Sequence, residues 1–243
     1  ADIVTATHVY YYDNAHPRPD LRRSIGIVPF TGKEYSVDLK DATRRLFSFL
    51  PLSPGKGYPR FHPSANVVSR QVIEKAYKRL GHVLFPALPH MYSLYPILFS
   101  FAQTCHFVDY PVAVIGRLGV SMGQTWSTSA RKRFGQHPIK KGLSPLTAYT
   151  KANSFFENYL RVQEELPEYF RDLPINKERF AEAHLRELFL LDTPVRTSVR
   201  NWYEFFHFLK TIKEPVRSQL RWKGIMFAIL SPLVFCARRL RLH

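Results

Sequence analysis

YPRFHPSANVVSRQVIEK (residues 58–75), FPALPHMYS (85–93) and CHFVDYPVAVIGRLGVSMG (105–123) are the runs whose order decides the fold. In the first, the loop that runs from Pro51 ends at Pro59, and Phe61 to Ser69 reads as a chain turning into a helix. Ser69 is an N-cap residue type, Val72, Ile73, Ala76, Tyr77 and Leu80 share one face, and Gly81 ends the period. In the third, Phe107 to Ile115 reads as a strand that runs into a loop poor in side chains at Gly116, Gly119 and Gly123. Between them, Tyr92 to Phe101 is largely apolar and reads as a buried helix with Pro96 near its start.

Working outward, Ile3 to Tyr12 is rich in Val, Thr and Tyr and reads as a strand. Pro17 and Pro19 make Asp13 to Asp20 a turn, Ile25 to Phe30 a short strand or buried loop, and Asp41 to Leu50 a short helix stopped by Pro51. Beyond the polar, basic stretch from Thr125 to Gly142, the segments Ala148–Leu166, Lys177–Leu191 and Val199–Ile212 have helical periods. Phe180, Ala183, His184 and Leu188 share a face of the second. The expected class is α/β, a mixed sheet with helices over residues 1–125, then a mainly helical extension over 126–216 and a basic tail over 217–243.

Hydrophobic residues make up 45% of the 243 and aromatics 14%, enough for a core and against disorder. Lys and Arg number 35 against 19 Asp and Glu, a net charge of +16 that attracts polyanions: nucleic acid, anionic lipid headgroups or phosphorylated small molecules. Nucleic acid is not favoured, since the cations are not interleaved with a recognisable reading module. Cys105 and Cys236 suggest neither a disulfide framework nor metal spacing, and a reducing compartment is the default. The amino terminus alternates like a strand and has no signal-peptide pattern, so a cytoplasmic location is expected. A chain that begins in a strand is expected to have lost an upstream segment or to carry a processed start.

Acids are sparse where chemistry would use them. Between Glu74 and Glu157 the only one is Asp109, among Arg79, Arg117, Arg131, Lys132, Arg133, Lys140 and Lys141. A basic pocket for a phosphate-bearing ligand and a solvated or lipid-docked basic face both fit this stretch. An acid so surrounded should stay ionised, as an ion-pair partner at a strand end or as a base. His62 and His90 sit in proline-marked loops, where a neutral imidazole can take a proton. Ser121, beside Gly123, could meet a phosphate or sugar hydroxyl, or merely satisfy a turn. The phosphate-loop, dinucleotide and nucleophile-elbow patterns are absent.

Four blocks together resemble the GT-A-fold inverting glycosyltransferases of the large nucleotide-sugar-dependent family two. They are Ala1–Thr5 with His8–Tyr12, Phe61–Arg70, Pro89–Ser93, and Asp109–Pro111 continuing to Gly116, Gly119, Ser121 and Gly123. The resemblance covers about residues 1–125 and implies a partial GT-A-like sheet, a nucleotide-sugar donor, a hydroxyl acceptor and a divalent metal, manganese or magnesium. It places His90 where a P-D-x-Y-S block has its acid. His90 and Asp109 become the catalytic candidates, and His62, Ser64, Tyr92, Ser93, Ser121 and Arg131 the substrate contacts. The nucleotide-gripping βα unit and the D-x-D metal motif of such enzymes do not occur in this sequence. The resemblance is therefore to the acceptor-side half, with a non-catalytic scaffold or partner subunit as the alternative.

In the tail, the apolar run from Gly224 to Ala237 is 14 residues, short of the roughly 20 that span a bilayer. Basic flanks and Trp222 suit a helix lying on an anionic membrane surface, peripheral on the cytoplasmic face. A buried core helix and a partner-docking helix are the other readings.

Overall fold

The computed structural model describes residues 1–16, 19–27, 29–50, 65–81, 91–117, 142–148, 150–189 and 195–240, with backbone alone at 91–93, 117, 195–198 and 231–240. His62, Ser64, His90, Ser121 and Arg131 lie outside the described residues, and Tyr92 and Ser93 are described by their backbone only.

The described sheet is mixed. β1 (Ile3–Tyr12) pairs in parallel with β5 (Cys105–Arg117) on one side. Its other edge is shared end to end by two antiparallel strands, β4 (Asn66–Val68) beside Ile3–Thr5 and β2 (Ser24–Ile27) beside Val9–Tyr12. β3 (Glu34–Ser36) closes the far edge against β5. β3 and β4 have three residues each, too short for an alternation signal. Ile25 and Ile27 settle the ambiguity at β2: they lie on a strand but both are 65% exposed, so this segment is no buried loop.

The helices beside the sheet follow their caps. α1 (Leu39–Phe47) starts at Asp38, whose carboxylate accepts from the amides of Lys40 (2.9 Å) and Asp41 (3.0 Å). α2 (Arg70–Leu80) starts at Ser69, whose hydroxyl accepts from the Val72 amide (3.3 Å), and ends at Gly81 with φ 64°, a conformation that favours glycine. α3 (Met91–Phe101) begins five residues before Pro96, which is therefore interior rather than near the start. A proline there forfeits one helical hydrogen bond. Burial of Tyr95, Ile97, Leu98 and Phe99 around it offsets the loss.

The helical extension comprises α4 (Lys151–Glu165), α5 (Pro167–Phe170), α6 (Lys177–Phe189), α7 (Val195–Leu209) and α8 (Val216–Leu240). Its core gathers Phe156, Phe180, Leu185, Trp202, Phe205 and Phe208, with Phe156 stacked on Phe180 at 4.1 Å. The sheet-side core gathers Ile3, Val72, Leu98, Cys105 and Phe107. A third cluster joins them: Phe47, Ala76 and Ile97 from α1–α3 meet Tyr159, Val162, Leu166 and Phe170 from α4 and α5. Among the described residues, no helix is long and apolar enough to cross a membrane.

Candidate functional site at the carboxyl ends of the parallel strands

β1 and β5 run out of the sheet together, and their pairing is irregular in the middle. Ala6 lies opposite Val108, Thr7 opposite Pro111 and His8 opposite Ala113, so the register skips Asp109, Tyr110 and Val112. Pro111 has no amide to give a ladder, and extra residues in one strand re-aim the side chains around them. The Asp109 side chain is turned inward here and is 0% exposed. Its Oδ1 accepts from the Thr7 hydroxyl (2.7 Å), and its Oδ2 from the Thr31 hydroxyl (2.7 Å) and the Thr31 amide (2.8 Å). Its backbone is tied as well: the Asp109 amide donates to Lys33 (2.9 Å) and the Asp109 carbonyl accepts from Gly32 (3.0 Å).

Burial by itself would raise the Asp109 pKa, but the Thr7 hydroxyl and the Thr31 hydroxyl and amide outweigh it and hold the carboxyl below its ordinary value. The residue stays ionised, as its isolation among cations suggested. Its stabilising partners are hydroxyls and an amide, where an ion pair or a reacting group was expected. A general base must come within hydrogen-bond reach of the proton it takes. Asp109, sealed and already accepting three hydrogen bonds, has the geometry of an anchor that fixes β5 to β1 and to the 31–33 turn.

Beyond the irregularity, a row of rings follows β1 toward its carboxyl end. His8 meets Tyr10 edge to face at 4.7 Å, Tyr10 is 6.3 Å from Tyr12, and Tyr12 meets His16 edge to face at 4.9 Å. Residues 8, 10 and 12 share a face because strand side chains alternate. Gly26 lies opposite Tyr10, and a Cβ there would stand 2.8 Å from Tyr12 Cε2. The bare glycine is what lets the Tyr12 ring lie across β2. The opposite face carries Ile25, Ile27 and Val114, all at least 65% exposed. In open sheets, ligands gather outside the carboxyl ends of parallel strands. Flat rings with phenol groups can take the apolar face of a small ring-shaped ligand and bond its hydroxyls.

The sequence reading missed this row because it treated the Tyr-rich segment only as strand. The signal was present in His8, Tyr10 and Tyr12 at spacings of two. Two other groups are inert. Burial pushes the Cys105 thiol up to about 12, too high for a reactive thiolate. His184 is fully buried between Phe180 and Phe205, its Nδ1 hydrogen-bonded to the Thr150 hydroxyl (2.8 Å), and burial holds its pKa down at about 3 despite nearby Glu204.

Around His184 lies a polar seam. Asn153 Nδ2 donates to the carbonyls of Leu146 (2.8 Å) and Ala148 (2.9 Å), Glu157 accepts from the Ser144 amide (2.7 Å), and Glu204 accepts from the Thr147 amide (2.8 Å). These bonds strap residues 144–148 onto α4 and α7. Among the described residues, no three His, Cys, Asp or Glu side chains gather where they could hold a metal ion, so the metal implied by the resemblance has no fitting site there. No family model, curated protein or solved structure matches this chain.

Proposed function

We propose that this chain forms the acceptor side of a glycosyltransferase that uses a nucleotide-diphosphate sugar. What supports the reading is that the described parts of the resembling blocks belong to one sheet and the helices packed beside it. Of these blocks, residues 3–12 are β1, residues 66–70 form β4 and begin α2, residues 91–93 open α3, and residues 109–117 lie in β5. On this reading the acceptor's ring packs along Tyr10 and Tyr12, and His90 takes the proton from its hydroxyl. The freed oxygen forms a bond to the anomeric carbon as the bond to the nucleotide diphosphate breaks, and the diphosphate leaves with the electron pair. Asp109 positions the strands and does not touch the acceptor. Nucleotide binding falls to residues other than those described.

A non-catalytic scaffold is the second reading, favoured by the sealed carboxylate of Asp109. A panel of mono- and oligosaccharides screened by saturation-transfer NMR against the whole chain tests the acceptor seat. Binding of at least one sugar, weakened ~10-fold by Tyr12→Ala through loss of ring contact, is the expected result. No saccharide bound, or one bound equally by Tyr12→Ala, would remove the ring row from the site.

A further inference from the structure

α8 has two faces of different kinds. One is committed to the interior: Leu220 and Gly224 are buried, Phe227 stacks on Phe189 at 4.5 Å, and a Cβ on Gly224 would stand 3.1 Å from the Phe206 ring. The other is apolar and turned to solvent: Trp222 (69% exposed), Met226 (53%), Ile229 (64%) and Leu230 (38%). At about 100° per residue, Met226 lies about 40° to one side of Trp222, Ile229 about 20° to the other and Leu230 about 80° round. Arg221 and Lys223, both exposed, stand about 100° to either side of Trp222 and so border the stripe. No Asp or Glu occurs anywhere in Val216–Leu240, and Arg238 and Arg239 continue the basic sequence.

We infer that this outward face of α8 docks on the surface of an anionic phospholipid bilayer, with the helix lying flat in the interface. The chemistry selects that occupant. An apolar stripe bordered by cations matches acyl chains beneath anionic headgroups, and long cationic side chains reach outward at such a border. A second copy would bring the same cations face to face without an acid on either helix. Nucleic acid would be met by cations at the centre of the face, where Trp222 and Met226 stand instead. On the Lys223 border, α6 contributes Glu178 and Glu182 to the adjoining groove, and Glu182 is already paired with Arg186 (2.7 Å). The inference does not depend on the glycosyltransferase reading.

The test is co-sedimentation of the full chain with phosphatidylcholine vesicles, with and without phosphatidylglycerol. Binding should require phosphatidylglycerol, weaken as salt is raised, and fall ~10-fold or more in Met226→Glu/Ile229→Glu. Arg221→Ser/Lys223→Ser, which leaves the apolar stripe whole, should weaken it by ~10-fold as well. Circular dichroism checks that these surface variants keep the fold. Absence of lipid binding by the parent chain, or binding that both variants retain in full, would overturn the inference. So would a dimer in sedimentation velocity that Met226→Glu/Ile229→Glu disperses, since it would give the face to a second copy.

Discussion

Asp109 and His184 are both sealed in the interior, and acid loads each against the fold. In the folded chain His184 is neutral down to about 3, whereas the unfolded chain takes its proton near 6.5. Between those values the unfolded state binds the extra proton, so stability is full above about 6.5 and falls as the pH drops, by ~1.4 kcal/mol per unit at the steepest. Asp109 follows the same sign lower down: its carboxyl is depressed in the fold, and its contribution, present above the ordinary value of 3.8, is lost as the pH falls through the depressed one. Urea unfolding at pH 7, 6 and 5, compared between the parent and His184→Gln, reads this histidine's share. His184→Gln should flatten the slope in that window, and an unchanged slope would mean that the imidazole is not held neutral. At pH 7, Asp109→Asn should cost ~1–3 kcal/mol, because an amide has one acceptor oxygen where three donors converge. Replacing the charge was legible as a risk from sequence, since Asp109 is the only acid between Glu74 and Glu157. Its partners were not, because Thr7 and Thr31 lie 102 and 78 residues away.

Among the elements, α1 shows how a local rule is broken for a distant contact. Its end is a two-bond cap, with the Phe49 amide on the Leu46 carbonyl (3.0 Å) and the Leu50 amide on the Arg45 carbonyl (2.9 Å). The residue in the left-handed conformation is Phe49 (φ 52°), where glycine is usual. A bulky residue there costs ~1–2 kcal/mol. The ring repays it across the molecule, edge to face with Tyr159 (5.7 Å) and tilted against Phe180 (5.5 Å). Phe49→Gly should therefore relax the backbone and still destabilise by ~1–3 kcal/mol in thermal unfolding. A variant more stable than the parent would show that the strain exceeds the packing. Sequence periodicity found β1, α2, α4 and α6 because each carries a long pattern or a capping residue at its start. It missed β3 and β4, which exist only through the partners they pair with. It found α3 to within one residue at its start, but placed Pro96 near that start, whereas the proline is interior and the burial around it outweighs the lost bond.

At the scale of the whole molecule, the helices beside the sheet and the helical extension share the cluster of Phe47, Ala76, Ile97, Tyr159, Val162, Leu166 and Phe170. The Arg79–Glu168 pair (2.9 Å) also crosses between them, but both side chains are 45% exposed, and a pair so open to solvent adds little to stability. Apolar packing, with rings such as Phe47 on Tyr159 at 4.8 Å, is what couples the two parts. Coupling fixes the sheet against the extension, and with it the row of rings at the carboxyl ends of β1 and β5. The glycosyltransferase reading gives that row to the acceptor and the proton to His90. Its most direct test is sugar transfer by the protein at its native length, with labelled nucleotide-diphosphate sugars, manganese and a mixed panel of hydroxyl acceptors. The expected result is transfer from at least one donor, reduced ~10²- to 10⁴-fold by His90→Ala with saccharide binding retained. Saccharide binding with no transfer from any donor, or transfer at the parent rate in His90→Ala, would contradict it.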